Sequence, residues 1–179
     1  MARVYLSLGS NLGDSLALLR QAVRELQAVT EIHLLETSRL YETEPWESEP
    51  GQPAPRWYLN CAVAIETTLP PDPLLDCLQR IEAALGRTRE AKTLEAGRFQ
   101  PRTVDIDILF YDTRVVSVPD RLQIPHLLLH ERAFVLHPLA ELAPELEHPV
   151  FYQTISQLLD ELDDAHAVRP TSLPPRWFD

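Results

Sequence analysis

Apolar side chains recur every second residue in some stretches of the chain and every three to four in others, and the alternation of the two periods predicts its elements. From Val104 to Tyr111 the period is two, so Val104, Ile106, Ile108 and Phe110 are expected to face a core. Thr103, Asp105, Asp107 and Leu109 then face the other way. Trp57 to Thr67 repeats the pattern, with Leu59, Cys61, Val63 and Ile65 on one face and Tyr58, Asn60, Ala62 and Ala64 on the other. Val4–Leu8 and Ile32–Tyr41 read as two further strands, with a short one around Val115–Val118. Leu16, Leu19, Val23 and Leu26 recur at helical spacing behind a cap at Asp14 or Ser15. Leu74, Leu78, Ile81 and Leu85 do so behind Asp72 and Pro73, and Gly86 is placed to end that helix. Glu131–Leu142 is a third helix, and Ile155, Leu158, Leu159 and Leu162 mark a fourth. The order β-α-β-β-α-β predicts an α+β protein of ferredoxin-like plan, an antiparallel sheet with helices packed on it and extra C-terminal helices. Residues 1–164 form one domain on this reading, and the Pro-rich residues 165–179 a loosely held tail.

Two stretches break the periodicity. Residues 46–56 are rich in Pro, Glu and Gln and are bracketed by Trp46 and Trp57, which predicts a long exposed loop of the kind that covers sites. Arg87–Gln100 is a second long loop, basic and Gly-containing, leading into the strand that carries Asp105 and Asp107. The turn Gly9-Ser10-Asn11-Leu12-Gly13-Asp14 lacks the G-K-[ST] ending of a phosphate loop and reads as a tight strand-to-helix connection.

Charge sharpens this picture. The 179 residues carry a formal net charge of −11, which argues against non-specific binding to nucleic acid or anionic membrane. Yet Arg80, Arg87, Arg89, Lys92, Arg98 and Arg102 crowd ahead of the acidic strand. Nearly all the chain's cations are arginines, whose planar fork suits phosphate. Asp105 and Asp107 on one strand face stand about 7 Å apart at Cβ, and like charges that close favour a cation beside them. Mg²⁺ fits, since it takes one or two carboxylates and lets phosphate oxygens fill the rest. An exposed acidic edge beside a solvated basic loop is the plainer reading of these features taken singly. Tyr58 and Asn60 followed by two alanines suggest a shallow floor for a flat polar ring, or a Tyr and Asn bonded under a covering helix. His126, after Pro125, is a structural residue as readily as a functional one. No apolar run approaches the ~20 residues of a membrane span, the N-terminus enters a strand directly, and Cys61 and Cys77 form no disulfide or metal pattern, so a cytoplasmic protein is expected.

Linked motifs carry a resemblance. Leu8-Gly9-Ser10-Asn11-Leu12-Gly13, Tyr41-x-Thr43-x-Pro45, Tyr58-Leu59-Asn60, Gln79-x-x-Glu82, Gly86-Arg87-x-Arg89, Pro101-Arg102-Thr103-x-Asp105-x-Asp107-Ile108, Ile124-Pro125-His126 and Glu131-Arg132-x-Phe134 follow in order. Together they resemble the 6-hydroxymethyl-7,8-dihydropterin pyrophosphokinase family of the folate pathway, over about Tyr5 to Pro144. The resemblance implies transfer of the β,γ-pyrophosphoryl group of ATP to the pterin's hydroxymethyl oxygen, releasing AMP. It implies two Mg²⁺ ions held by Asp105 and Asp107, with ATP as co-substrate. Arg87, Arg89, Arg102 and Arg132, with His126, would bind the phosphates, Arg87 and Arg102 serving catalysis beside the aspartates. Gln79, Glu82, Ile108 and Arg121 match nucleotide-contacting positions. Tyr58 and Phe134 would sandwich the pterin, while Asn60 and the segment Thr43, Pro45 and Trp46 read its polar edge. The chain departs from the family's pattern at Glu44, a slot usually apolar or proline, and at Phe99, where many members carry tryptophan. The partners expected are these small molecules, with no nucleic acid and no membrane, and a monomer. Two other readings stand beside it: a Mg²⁺-dependent nucleotidyltransferase or phosphohydrolase using the same aspartates, and a ferredoxin-like ligand sensor without catalysis. Neither accounts for Tyr58, Asn60, Phe134 and the concentrated arginines at once.

Overall fold

The computed structural model describes residues 1–45, 56–86 and 103–179. Strands β1 (Ala2–Ser10), β4 (Tyr58–Thr67) and β5 (Asp105–Tyr111) form the middle and one edge of an antiparallel sheet. On the far side of β4 lie β2 (Ile32–Thr37) and β3 (Tyr41–Thr43), and β8 (Val168–Pro170) pairs with β3, giving the order β5-β1-β4-β3-β8. A hairpin of β6 (Val116–Val118) and β7 (Leu122–Ile124) stands apart. Helices α1 (Ser15–Ala28) and α2 (Pro71–Ala84) cover one face; α3 (Ala133–Leu142) and α4 (Ile155–Asp160) pack on part of the other. This is the ferredoxin-like plan with added C-terminal helices.

Patterning explains the layers. Val4, Leu6 and Leu8 of β1, Cys61, Val63 and Ile65 of β4, and Ile106 and Ile108 of β5 meet Leu19, Leu26, Leu74 and Leu78 in the larger core. Asp14 caps α1 by accepting from Ala17 N at 3.0 Å. The second helix begins at Pro71 rather than behind Asp72, with Pro70 at its cap and no side-chain cap bond. Gly86 adopts φ +92 just past its end, a left-handed turn that favours glycine.

Four further expectations are corrected. The stretch 32–41 is two strands, because Ser38 stands in the ladder with its side chain: its N–H donates to Ala62 O and its Oγ accepts from Ala62 N, both 2.9 Å. The alternation of β5 breaks at Leu109. Tyr5 pairs Phe110 and Leu6 pairs Ile108, so Leu109 is a bulge, and its carbonyl accepts from His126 N at 3.0 Å. Phe110 therefore leaves the face of Ile106 and Ile108 and joins Leu109 in the smaller core with Leu136, Leu139 and Ile155, while Tyr111 returns to the larger one. The third helix starts at Ala133, after a 3-10 turn over Leu129–Glu131. Residues 165–179 are not loosely held either: β8 extends the sheet, and Trp177 is 1% exposed inside the larger core. Proline-rich composition hid a short edge strand and a single aromatic anchor.

Candidate active site

The polar residues of the smaller-core face collect at one end of the three central strands. Gly9 of β1 pairs with Asn60 on β4 and with Asp105 on β5; Ser7 pairs with Ala62 and with Asp107. Residues paired across a sheet share a face. Asn60, Gly9 and Asp105 thus form one row, and Ala62, Ser7 and Asp107 the next. Tyr58 lies one step beyond Asn60 on the same face, opposite Thr43 of β3. Both aspartates are half-buried, whereas Ser7 and Asn60 are buried. The expected union of Tyr58 and Asn60 with Asp105 and Asp107 on one side of the sheet holds.

The amide of Asn60 is fixed by its neighbours. Its Nδ2 donates to Thr43 Oγ1 at 2.6 Å, and Thr43 is itself buried. Its Oδ1 lies across β1, so close that a Cβ built on Gly9 would stand 2.4 Å from it. Only glycine leaves room for that amide. The sequence pattern places Gly9 at the start of the strand-to-helix turn Gly9–Asp14; in the structure it lies within β1 and serves a close approach inside the sheet.

The α2 end and the His126 loop approach the aspartates from either side. Glu82, buried on α2, accepts from Ile106 N at 2.8 Å, the peptide between the two aspartates. As β5 is an edge strand, that N–H faces away from β1, and by the two-residue repeat Ile108 turns its peptide the same way. The Ile108 side chain is buried in the larger core, which leaves only its main chain for the nucleotide contact that the resemblance implies there. Gln79 is half-buried, three residues before Glu82 on α2. Removing the Glu82 carboxylate would strand the Ile106 N–H. Glu82→Ala is expected to cost about 1–3 kcal/mol, several degrees of melting temperature, and to raise KM for ATP, with Glu82→Gln restoring most of both. Thermal unfolding and initial rates check this.

His126 belongs with Asp105 and Arg132. Burial pushes its pKa down to about 4, the Arg132 charge adding to the drop and the Asp105 carboxylate opposing it. Its Nδ1 accepts from Leu128 N at 3.3 Å, which leaves the proton on Nε2 as a neutral donor at pH 7. The folded value lies below the unfolded one, so the unfolded chain takes up the proton first as pH falls. Native stability should therefore decline from about pH 6.5 to about pH 4, by about 3 kcal/mol, then level off for this group. In metal-free urea titrations, His126→Gln should flatten that part of the profile relative to the parent chain.

Arg132 precedes α3, its guanidinium 5.6 Å from the Phe134 ring centroid. Phe134 packs against the smaller core that includes Ala62, next to Asn60 along the face. Arg121 is held elsewhere, donating to Asp72 at 2.5 Å and Asp76 at 3.0 Å on the first turns of α2. These bonds raise its pKa and lower that of Asp72. Pro45 ends the described part of its segment, and Trp46, Arg87, Arg89, Phe99 and Arg102 lie outside the described residues. Among the described residues no three His, Cys, Asp or Glu converge on one point. Two half-buried carboxylates on β5, with the hydroxyl residue Ser7 beside them on β1, suit a hard cation completed by ligand oxygens.

The chain is thus an α+β protein whose antiparallel sheet carries a polar, carboxylate-bearing end. The chain belongs to the 7,8-dihydro-6-hydroxymethylpterin-pyrophosphokinase (HPPK) family, whose sequence model matches residues 5–144. It is 46% identical over 163 residues to the 2-amino-4-hydroxy-6-hydroxymethyldihydropteridine pyrophosphokinase of Methylorubrum extorquens, covering 91% of this chain and 95% of the relative. It is 41% identical over 143 residues to the enzyme of that name from Bacillus subtilis, covering 80% of this chain and 79% of the relative. The fold matches a solved Plasmodium falciparum HPPK-DHPS with pteroate at TM-score 0.65 and 16% identity, over 89% of this chain. The chain spans only 44% of that longer protein.

Proposed function

We infer that the chain transfers the pyrophosphoryl group of ATP to 6-hydroxymethyl-7,8-dihydropterin, a step of tetrahydrofolate biosynthesis. The observation that carries this reading is the shared face of Asn60, Asp105 and Asp107 across Gly9 and Ser7, in a chain of this family. The pterin's hydroxymethyl oxygen attacks the β-phosphorus of ATP and loses its proton. The bond between that phosphorus and the bridging α-oxygen breaks, and AMP departs. Asp105 and Asp107 would hold the Mg²⁺ ions, two in number, which when bound neutralise phosphate charge and orient the chain of phosphates. Asn60, steadied by Thr43, presents an amide matched to a ring edge that both donates and accepts. Tyr58 and Phe134 supply aromatic faces for that ring. His126 offers an Nε2–H and Arg132 a guanidinium toward the phosphates, beside Asp105. Glu82 keeps the peptide of Ile106 in place from behind. Cys61 and Cys77 are free thiols in the core, which suits a reducing cytoplasm.

The test is a product assay. With ATP, Mg²⁺ and the hydroxymethyl pterin, AMP and pterin diphosphate should form in equal amounts, and omission of the pterin should stop AMP formation. ATP breakdown without pterin, or binding of both ligands without turnover, would contradict the reading.

A further inference from the structure

Residues 165–179 lie beyond the span that matches the family, yet they follow segment 38–44 from end to end. Trp177 Nε1 donates to Ser38 O at 2.9 Å, and Thr171 N donates to Leu40 O at 2.8 Å. Strand β8 pairs Pro170, Arg169 and Val168 with Tyr41, Glu42 and Thr43. At the far end Glu44 is gripped twice: its N–H donates to Ala167 O at 2.9 Å, and its Oε2 accepts from Ala167 N at 3.0 Å. Two anchors fix the tail itself. Arg20 Nε of α1 donates to Trp177 O at 2.6 Å beside the buried indole, and the Arg169 guanidinium stands 5.1 Å from the Trp57 ring centroid.

Strand β3 needs this support. It has three residues and would be a bare edge without β8, and so short a strand holds its register poorly alone. Thr43 on β3 bears the hydroxyl that accepts the Asn60 amide, so a slip of β3 along β4 would release that amide from its single orientation. Of the residues assigned to ATP, Gln79, Glu82 and Ile108 sit at the opposite edge, on α2 and β5, with β1 and β4 between, and His126 and Arg132 lie toward Asp105 on that edge.

We propose that residues 165–179 are a positioning brace for β3, which sets the enzyme's affinity for the pterin and leaves its affinity for ATP unchanged. The brace also gives a role to Glu44, whose carboxylate replaces the strand carbonyl that would otherwise receive Ala167 N. The proposal rests on the pyrophosphokinase reading, and the experiment separates the two. Initial rates are measured on the full chain, on Arg169→Pro, which removes the central β8 N–H, and on Glu44→Ala and Glu44→Gln. KM for the pterin should rise about tenfold in Arg169→Pro and severalfold in Glu44→Ala, with KM for ATP within about twofold and kcat little changed. Glu44→Gln, which keeps an acceptor for Ala167 N, should recover the parent value. An unchanged pterin KM, or equal rises for both substrates, would overturn the brace. If Arg169→Pro fails to fold, the two Glu44 variants decide by the same criteria. A parent chain that makes no AMP would overturn the pyrophosphokinase reading instead.

Discussion

Asp105→Ala and Asp107→Ala are each expected to lower kcat at least about a thousandfold while leaving the melting temperature within a few degrees. The two effects part because of where the side chains stand. Both project from β5 on the polar end of the sheet, half-buried, while the strand is held by Ile106 and Ile108 in the larger core and by Glu82 on its edge. On the proposed reading, losing one carboxylate would remove a ligand for the cations that neutralise phosphate charge, and several kcal/mol of transition-state stabilisation with it. It removes no apolar contact. Mg²⁺-dependent stabilisation by an ATP analogue should vanish in the same variants. A variant that keeps near-parental rates in Mg²⁺ would break the assignment.

Gly9→Ala is the second large effect. The new methyl would meet Asn60 Oδ1 at 2.4 Å, a distance no Cβ tolerates, so the amide must swing away from Thr43 or β1 must part from β4. Either course would unmake the ring-edge contacts proposed for Asn60, and pterin KM should rise at least about tenfold, with about 1–3 kcal/mol lost from the buried amide's hydrogen bond. Asn60→Ala in the Gly9→Ala background should add little to the pterin defect, because both changes act on one amide. Full additivity would show that Gly9 acts through something else.

Much of this site could be read from residues alone. Alternation in β4 and β5 correctly put Tyr58 and Asn60 on the face opposite Cys61 and Val63, and Asp105 and Asp107 opposite Ile106 and Ile108. That these two faces coincide required β1 between them, whose register no periodicity reveals. The resemblance marks Glu82 as a nucleotide-contacting position, while helical spacing shows only which side of α2 it occupies. Its bond to Ile106 N depends on how α2 docks beside an edge strand. The bulge at Leu109 was invisible for a similar reason: Leu109 and Phe110 are both apolar, so the slip that sends both to one face leaves no mark in the pattern. The tail misled in the opposite sense. Its prolines suggest looseness, whereas three backbone pairs and one buried indole hold it.

The account stands most directly on where divalent cations bind when both substrates are present. A crystal structure with a non-hydrolysable ATP analogue, Mg²⁺ and the pterin should show metal about 2.1 Å from oxygens of both Asp105 and Asp107, bridged to the phosphates, with the pterin ring between Tyr58 and Phe134. Metal bound to only one of the two aspartates, or a ring lodged away from Asn60, would contradict it.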